Sequence, residues 1–285
     1  MTTRATLHDG AEIDVEINGD GPAVLLPVNP RPVEGPQAEE MRKWGADPAL
    51  GRTLIDGLAD RFTVVAFDYE GHVLAQPKPD TLTPANVAAD LLAVADAAGA
   101  DRFAYYGYSW LALSGLQLAV RTDRLSALVM GGYPPIGGPY AAMLAVTTAT
   151  HTMATDPAPE EPDGEPGEPG DWSKAKVEMT PGQTQQFVTL YEGLRGFDDL
   201  AVQSRVTCPR LCFAGSADVI RYDERWGGVV VDIAGPFTER RDEMESLGWE
   251  VRVLDGLDHT GAMQPGAVLP ILRPWLESRL PARVS

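Results

Sequence analysis

The stretch GYSWLALSG, residues 107–115, decides the fold, because it joins a predicted strand to a predicted helix at a serine. RFAYYGYS, 102–109, has the apolar and aromatic run of a strand buried on both faces. WLALSGLQLAVRT, 110–122, reads as a helix. Ser109 stands two residues after Gly107, the spacing of a Gly-x-Ser-x-Gly turn. Such a turn lifts a hydroxyl above the C-terminal edge of a sheet, and small neighbours permit it because strand and helix nearly touch. Gly107 supplies the first small residue. Leu111 stands where the second glycine belongs, while Ala112 and Ser114 keep the helix slim. The plainer use of Ser109 is as a helix cap.

The same alternation extends outward. ATLH and AEIDVEI alternate in polarity around Asp9-Gly10 and predict an antiparallel hairpin. AVLL (23–26) and FTVVAF (62–67) are continuous apolar runs suited to parallel strands. Between them, residues 47–62 predict a helix that Asp47 caps and Pro48 opens. Thr83-Pro84 starts a second helix that Gly99 ends, and LSALVMGGY (125–133) is the next strand. Beyond Pro135 the regularity breaks. Residues 156–171, DPAPEEPDGEPGEPGD, are a low-complexity acidic Pro/Gly segment expected to be a flexible loop. The pattern resumes with TPGQTQQFVTLYEGLRGF as helix, PRLCFAGS as strand, TERRDEMESLGW as helix, EVRVLDG as strand and a terminal helix near 266–280. The fold class expected is α/β, a mostly parallel central sheet of about eight strands flanked by helices, with an inserted helical cap. The core is assigned to 1–135 and 201–285 and the cap to 136–200.

Composition excludes several functions. A net charge of −18 disfavours nucleic acid and anionic membrane. No apolar run reaches the roughly 18 residues that span a bilayer, and the polar N-terminus lacks a signal-peptide centre, so a cytoplasmic protein is expected. Cys208 and Cys212 are too few for a zinc site and poorly spaced for a disulfide along one strand, and read as buried packing residues. No cofactor or metal is implied. The partner expected is a small-molecule substrate, with neither nucleic acid nor membrane; a homodimer is the oligomer considered.

A serine nucleophile needs a base, and the chain has four histidines. His8 lies in the hairpin, His72 in the loop DYEGHVLAQPKP and His151 beside the acidic segment. His259 follows the last predicted strand, which places it at a strand's C-terminal end. The base needs an orienting acid. Asp218 follows PRLCFAGS at the same edge; Asp223, Asp255 and Asp258 compete with it. Tyr108 and Trp110 flank the serine, Tyr133 lies where the sheet meets the cap, and the apolar cap residues from Met143 to Val146 are expected to line a substrate pocket.

The order Ser109, Asp218, His259, each at a strand end, resembles the α/β-hydrolase fold family over about residues 11–280. FDYEGHVLAQP is similar to that family's Asp-x-x-Gly-His-Gly-x-Ser-x-x-Pro loop at Asp68, Gly71, His72 and Pro77, with Val73 and Ala75 departing from it. The resemblance makes His72 structural and His259 the base. It implies an oxyanion hole from the backbone N–H groups of Trp110 and Asn29, although Pro27-Val28 replaces the family's His-Gly. Asn29 also suits a turn, and its side-chain amide is a second source of a donor.

These residues lead to the expectation of a serine hydrolase acting on a small or medium, largely apolar carboxylic ester, thioester or lactone. Two alternatives stand beside it. One keeps the triad for C–C bond hydrolysis, lyase or acyl-transfer chemistry; the other is a non-catalytic binding protein on the same fold.

Overall fold

The computed structural model describes residues 1–156 and 177–280, so the acidic segment expected to be a loop lies outside the described residues apart from Asp156. The hairpin forms as expected, from β1 (Thr2–Thr6) and β2 (Glu12–Asn18), with Ile13 and Val15 on its buried face. β3 (Ala23–Leu26) follows, then α1 (Gly35–Lys43), α2 (Leu50–Asp56) and β4 (Thr63–Ala66). α3 (Tyr69–Ala75), α4 (Pro84–Ala97), β5 (Phe103–Tyr108), α5 (Trp110–Ala119) and β6 (Leu125–Gly131) come next. α6 (Tyr140–Thr155) and α7 (Pro181–Glu192) lie between β6 and β7 (Arg210–Gly215). The chain ends through β8 (Val219–Arg221), β9 (Val230–Asp232), α8 (Ala234–Glu239), α9 (Arg241–Ser246), β10 (Trp249–Leu254), α10 (His259–Met263) and α11 (Pro265–Arg279).

Eight strands form one sheet in the order β1-β2-β4-β3-β5-β6-β7-β10. All pairs are parallel except those that β2 makes with β1 and β4. Alternation along the central strands buries both faces. Leu25, Val65 and Tyr105 enter one apolar layer with Leu91, Val94 and Leu116 from α4 and α5. Val24, Leu26, Val64 and Tyr106 enter the other with Leu54, Val268 and Leu272 from α2 and α11. Helices on both faces of a parallel sheet satisfy the burial that such continuous apolar strands demand.

Several helix ends follow the sequence chemistry. Thr83 accepts the Asn86 N–H with Pro84 in the first turn, and Thr180 and Gln183 form a capping box. Asp47 accepts from Ala49 N at 2.8 Å, but α2 begins only at Leu50. Some local structure differs from expectation. Residues 35–43 are helical, and so is most of the loop after β4, because Asp68 accepts the Gly71 N–H at 2.9 Å and caps α3. Residues 238–246 form parts of two short helices broken at Arg240, Trp249 already belongs to β10, and β8 and β9 pair as a small ribbon outside the main sheet. Cys212 is buried; Cys208 lies before β7 and is half-buried, and both are free thiols.

At the β5–α5 junction Ser109 has φ 56° and ψ −129°, the one non-glycine residue at positive φ among the described residues. Its N–H donates to Gly131 O at 2.8 Å, and its carbonyl accepts the Ala112 N–H at 2.9 Å. The close approach falls at Gly107, where a Cβ would stand 2.4 Å from Leu111 O. A second lies at Gly115, where a Cβ would stand 2.6 Å from Cε1 of Tyr105. Tyr105 is fully buried and donates its hydroxyl to Leu111 O at 2.8 Å, so a tyrosine fills the space between strand and helix. Leu111 therefore does not crowd the crossing; its side chain is buried in the core and borders a cavity.

Restoring the pattern's glycine with Leu111→Gly should cost roughly 2–5 kcal/mol, since it removes a buried side chain and loosens a helix. Chemical denaturation would measure this, and an unchanged or raised midpoint would contradict the packing described.

Candidate active site

The parallel strands end on one edge, and the loops leaving β3, β5, β7 and β10 carry the candidate residues there. Ser109 leaves β5, and its side chain makes no capping hydrogen bond to α5, which removes the plainer reading of this serine. Asp218 follows β7, is fully buried, and has its backbone fixed by the N–H groups of Ile233 and Ala234. His259 follows β10 and opens α10 behind Asp258, whose carboxylate accepts the Gly261 N–H. Nδ1 of His259 lies 2.8 Å from Oδ2 of Asp218. Asp258 is thus occupied as a cap, Asp223 as the cap of a short turn, and Asp255 faces Ser216.

Two features bring the histidine loop over the end of β7. A Cβ at Gly215 would stand 2.0 Å from Leu257 O, so only glycine admits that backbone. Ala217 N then donates to Leu257 O, and Ser216 N to Leu254 O, each at 2.9 Å. Tyr108 adds a third tie: its hydroxyl donates to His259 O at 2.7 Å, and its ring sits 5.1 Å from the imidazole. Burial and the nearby Asp218 and Asp258 carboxylates push the Tyr108 phenol well above its usual range, so it acts as a neutral donor.

With Nδ1 engaged by Asp218, Nε2 of His259 is the ring nitrogen left for chemistry. Ser109 and His259 line one cavity of about 530 Å³. No hydrogen bond joins Ser109 to His259 in this conformation; such contacts in unliganded sites commonly tighten only when substrate binds. Asn29 and Trp110 line the same cavity, and their backbone N–H groups donate to no backbone carbonyl. Asn29 also serves the turn, because its Oδ1 accepts the Arg31 N–H at 2.9 Å. Among the described residues no cluster of His, Cys, Asp and Glu has the makings of a metal site, and no helix is long and apolar enough to cross a membrane.

Of the expected pocket residues, Tyr108 lines this cavity and Tyr133 and Met143 do not. Tyr133 is buried beneath Tyr140, with ring centroids 5.9 Å apart, and Met143 packs against the core from α6. The cavity walls come instead from the excursion between β3 and α2, including Gln37 and Met41 of α1, and from Glu70 and Leu74 of α3. The length of that excursion and the GPQAEEMRKW run were the available sequence signals. α7 reaches the site from behind: Phe187 meets the Trp110 ring edge-on at 5.5 Å, and Gln183 and Gln186 donate to the carbonyls of Leu74 and Val73.

His72 does not line the cavity, and its Nε2 is buried without a partner. His8 bonds instead to Asp90, which also accepts from Tyr69, and His151 bonds to Thr184. Burial, aided by Lys78, holds the His72 imidazole below its ordinary 6.5, against the opposing pull of Asp9, Asp90 and Asp68. The unfolded chain therefore takes up a proton near pH 6.5 that the folded one resists.

No family model matches the sequence, and no curated protein matches it. Solved structures do. A thermophilic esterase from Thermogutta terrifontis aligns with TM-score 0.59 at 15% identity, over 98% of this chain and 99% of its own. A meta-cleavage product hydrolase from Pseudomonas fluorescens aligns with TM-score 0.59 at 14% identity, over 98% and 97%. An epoxide hydrolase from Vigna radiata gives TM-score 0.58 at 15% identity, over 98% of each chain. Together with the eight-stranded topology, these place the chain in the α/β-hydrolase fold.

Two outcomes are expected from this geometry. Tyr108→Phe should lower kcat on any turned-over substrate by roughly 3–10-fold with little change in KM, because a hydrogen bond that positions His259 is lost; steady-state kinetics would separate the two constants. The His72 contribution to stability is present above pH 6.5 and lost as pH falls through the lower folded value. His72→Gln should flatten the decline of unfolding free energy between neutral and mildly acidic pH, and an unchanged slope would contradict it.

Proposed function

We propose that the chain is a serine hydrolase acting on a small or medium carboxylic ester, thioester or lactone. The observation that carries the reading is the Asp218–His259 contact at 2.8 Å, on the cavity that also holds Ser109 at positive φ. Ser109 Oγ attacks the carbonyl carbon as its proton passes to Nε2 of His259. Asp218 accepts from Nδ1–H, fixing the tautomer and stabilising the imidazolium. The N–H groups of Trp110 and Asn29 receive the negative charge that develops on the carbonyl oxygen. The tetrahedral intermediate expels the alcohol or thiol, which takes the proton from His259. Water, deprotonated by the same nitrogen, then attacks the acyl-enzyme and releases the acid and free Ser109.

The division into a core of 1–135 and 201–285 and a cap of 136–200 belongs to the same proposal. In it α7 covers the back of the site, with Phe187 on Trp110 and with Gln183 and Gln186 bonded to the carbonyls of α3. A soluble cytoplasmic enzyme without cofactor fits this chemistry, which uses only side chains and backbone N–H groups of the chain and water.

A panel of p-nitrophenyl acyl esters, offered beside a vinylogous diketone, tests the reading. Ester turnover should dominate. Ser109→Ala should lower it at least about ten-thousandfold, and Asp218→Asn about a thousand- to ten-thousandfold. Dominant diketone cleavage would assign the triad to C–C bond hydrolysis, and absence of turnover on both would favour a binding protein.

A further inference from the structure

The cavity contains a carboxylate that the proposed hydrolysis does not use. Glu70 lies in the first turn of α3 and lines the cavity together with Ser109 and Trp110. Glu70 keeps substantial exposure to solvent where it lines the cavity, although many protein atoms lie around its carboxyl. Among the described residues no lysine, arginine or histidine forms an ion pair with it. Burial raises its carboxyl above the ordinary carboxylate range; the Trp110 indole N–H opposes that, and Asp68 adds to it. Trp110 is nine-tenths buried, and its Nε1 has no partner within hydrogen-bonding geometry although it points towards Glu70.

The balance of charge along the cavity leans the same way. Asp47, Asp68 and Glu70 line it, against Arg31 as the one lysine or arginine. Asp47 and Asp68 are spent on backbone N–H groups at the starts of α2 and α3. Arg31 is strongly exposed and lies 4.0 Å from Asp14. Of the three cavity acids, Glu70 is the one whose carboxylate accepts no backbone N–H. The remaining wall is largely aliphatic or aromatic: Val28, Val33, Met41, Leu50, Leu54 and Leu74.

We propose that Glu70 is a specificity-determining residue that selects esters whose apolar chain ends in a protonated amine. The inference rests on the serine-hydrolase reading for the reaction, but the binding preference stands apart from turnover. The aliphatic wall holds the methylene chain, and the ammonium group donates to Glu70 and supplies its missing countercharge. Trp110 links the two halves of the site, since its backbone N–H serves the oxyanion and its indole N–H orients the Glu70 carboxylate. A substrate with a terminal carboxylate would face repulsion at the same point.

The test compares the p-nitrophenyl esters of 6-aminohexanoate, heptanoate and adipate, identical in reach and differing in the terminal group. Wild-type kcat/KM should favour the amino ester over heptanoate by about tenfold and disfavour the adipate monoester. Glu70→Gln should bring the amino-to-heptanoate ratio close to one, and Glu70→Lys should turn the preference towards the adipate ester. Ratios unchanged by both substitutions would overturn the assignment. Calorimetric titration of the Ser109→Ala protein with the unhydrolysed esters reads recognition without chemistry. There, the amino ester should bind about tenfold more tightly than heptanoate, and adding Glu70→Gln should erase the difference. Equal binding of the two esters to the Ser109→Ala protein would overturn the proposal. A retained binding difference with no wild-type turnover would instead overturn the hydrolase reading and leave the ammonium site standing.

Discussion

The backbone conformation of Ser109 is the constraint on which the rest of the site depends. A non-glycine residue at φ 56° costs of order 1–3 kcal/mol and persists only where its surroundings impose it. Here they do. The Ser109 N–H is held by Gly131 O on the neighbouring strand, and its carbonyl is held by the first turn of α5. Gly107 lets the helix backbone cross the strand, and the Tyr105 hydroxyl bonds that backbone from below at Leu111 O. The strain thus raises a hydroxyl to the sheet edge and leaves the N–H of Trp110 without a backbone acceptor beside it.

Everything else converges on that point because the neighbouring strands are parallel. The strands β3, β5, β7 and β10 finish on the same edge, so the loops that leave them meet there. Contact between loops still needs local chemistry. Gly215 admits the Leu257 carbonyl, and Tyr108 grips the backbone of His259. Asp218 has no hydrogen-bond partner for Oδ1 among the described residues, which leaves the imidazole as its main satisfaction. The imidazole and carboxylate therefore hold one another in place, with the tyrosine as brace.

Strands were the most legible part of the sequence. AVLL, FTVVAF and PRLCFAGS are interior strands of the sheet, and buried strands announce themselves by uninterrupted apolar residues. The order of serine, aspartate and histidine was legible because Ser109 and Asp218 each follow such a run and His259 follows the last strand, whose apolar residues alternate with Glu250 and Arg252. Short polar-faced helices were not. α3 is seven residues long with only Tyr69 and Val73 buried behind its capping aspartate, and α1 has a single buried residue, Ala38, so neither carries an apolar stripe long enough to mark a helix. Their invisibility displaced the expected pocket towards Tyr133 and Met143, whereas the cavity wall comes from α1 and α3. Glu70 was equally silent: a glutamate in a polar loop says nothing until the loop folds against Trp110. Leu111 was misleading for a different reason. The crossing of strand and helix is relieved at Gly107 and Gly115 with Tyr105 between them, a three-residue arrangement that no local pattern spells out.

The central claim is that Ser109 is an activated nucleophile. Intact-mass measurement after exposure to a fluorophosphonate, followed by peptide mapping, tests it most directly. The account predicts one adduct per chain, on Ser109, formed rapidly at neutral pH and slowly in the Asp218→Asn protein. An unmodified chain, or an adduct on another residue, would contradict it.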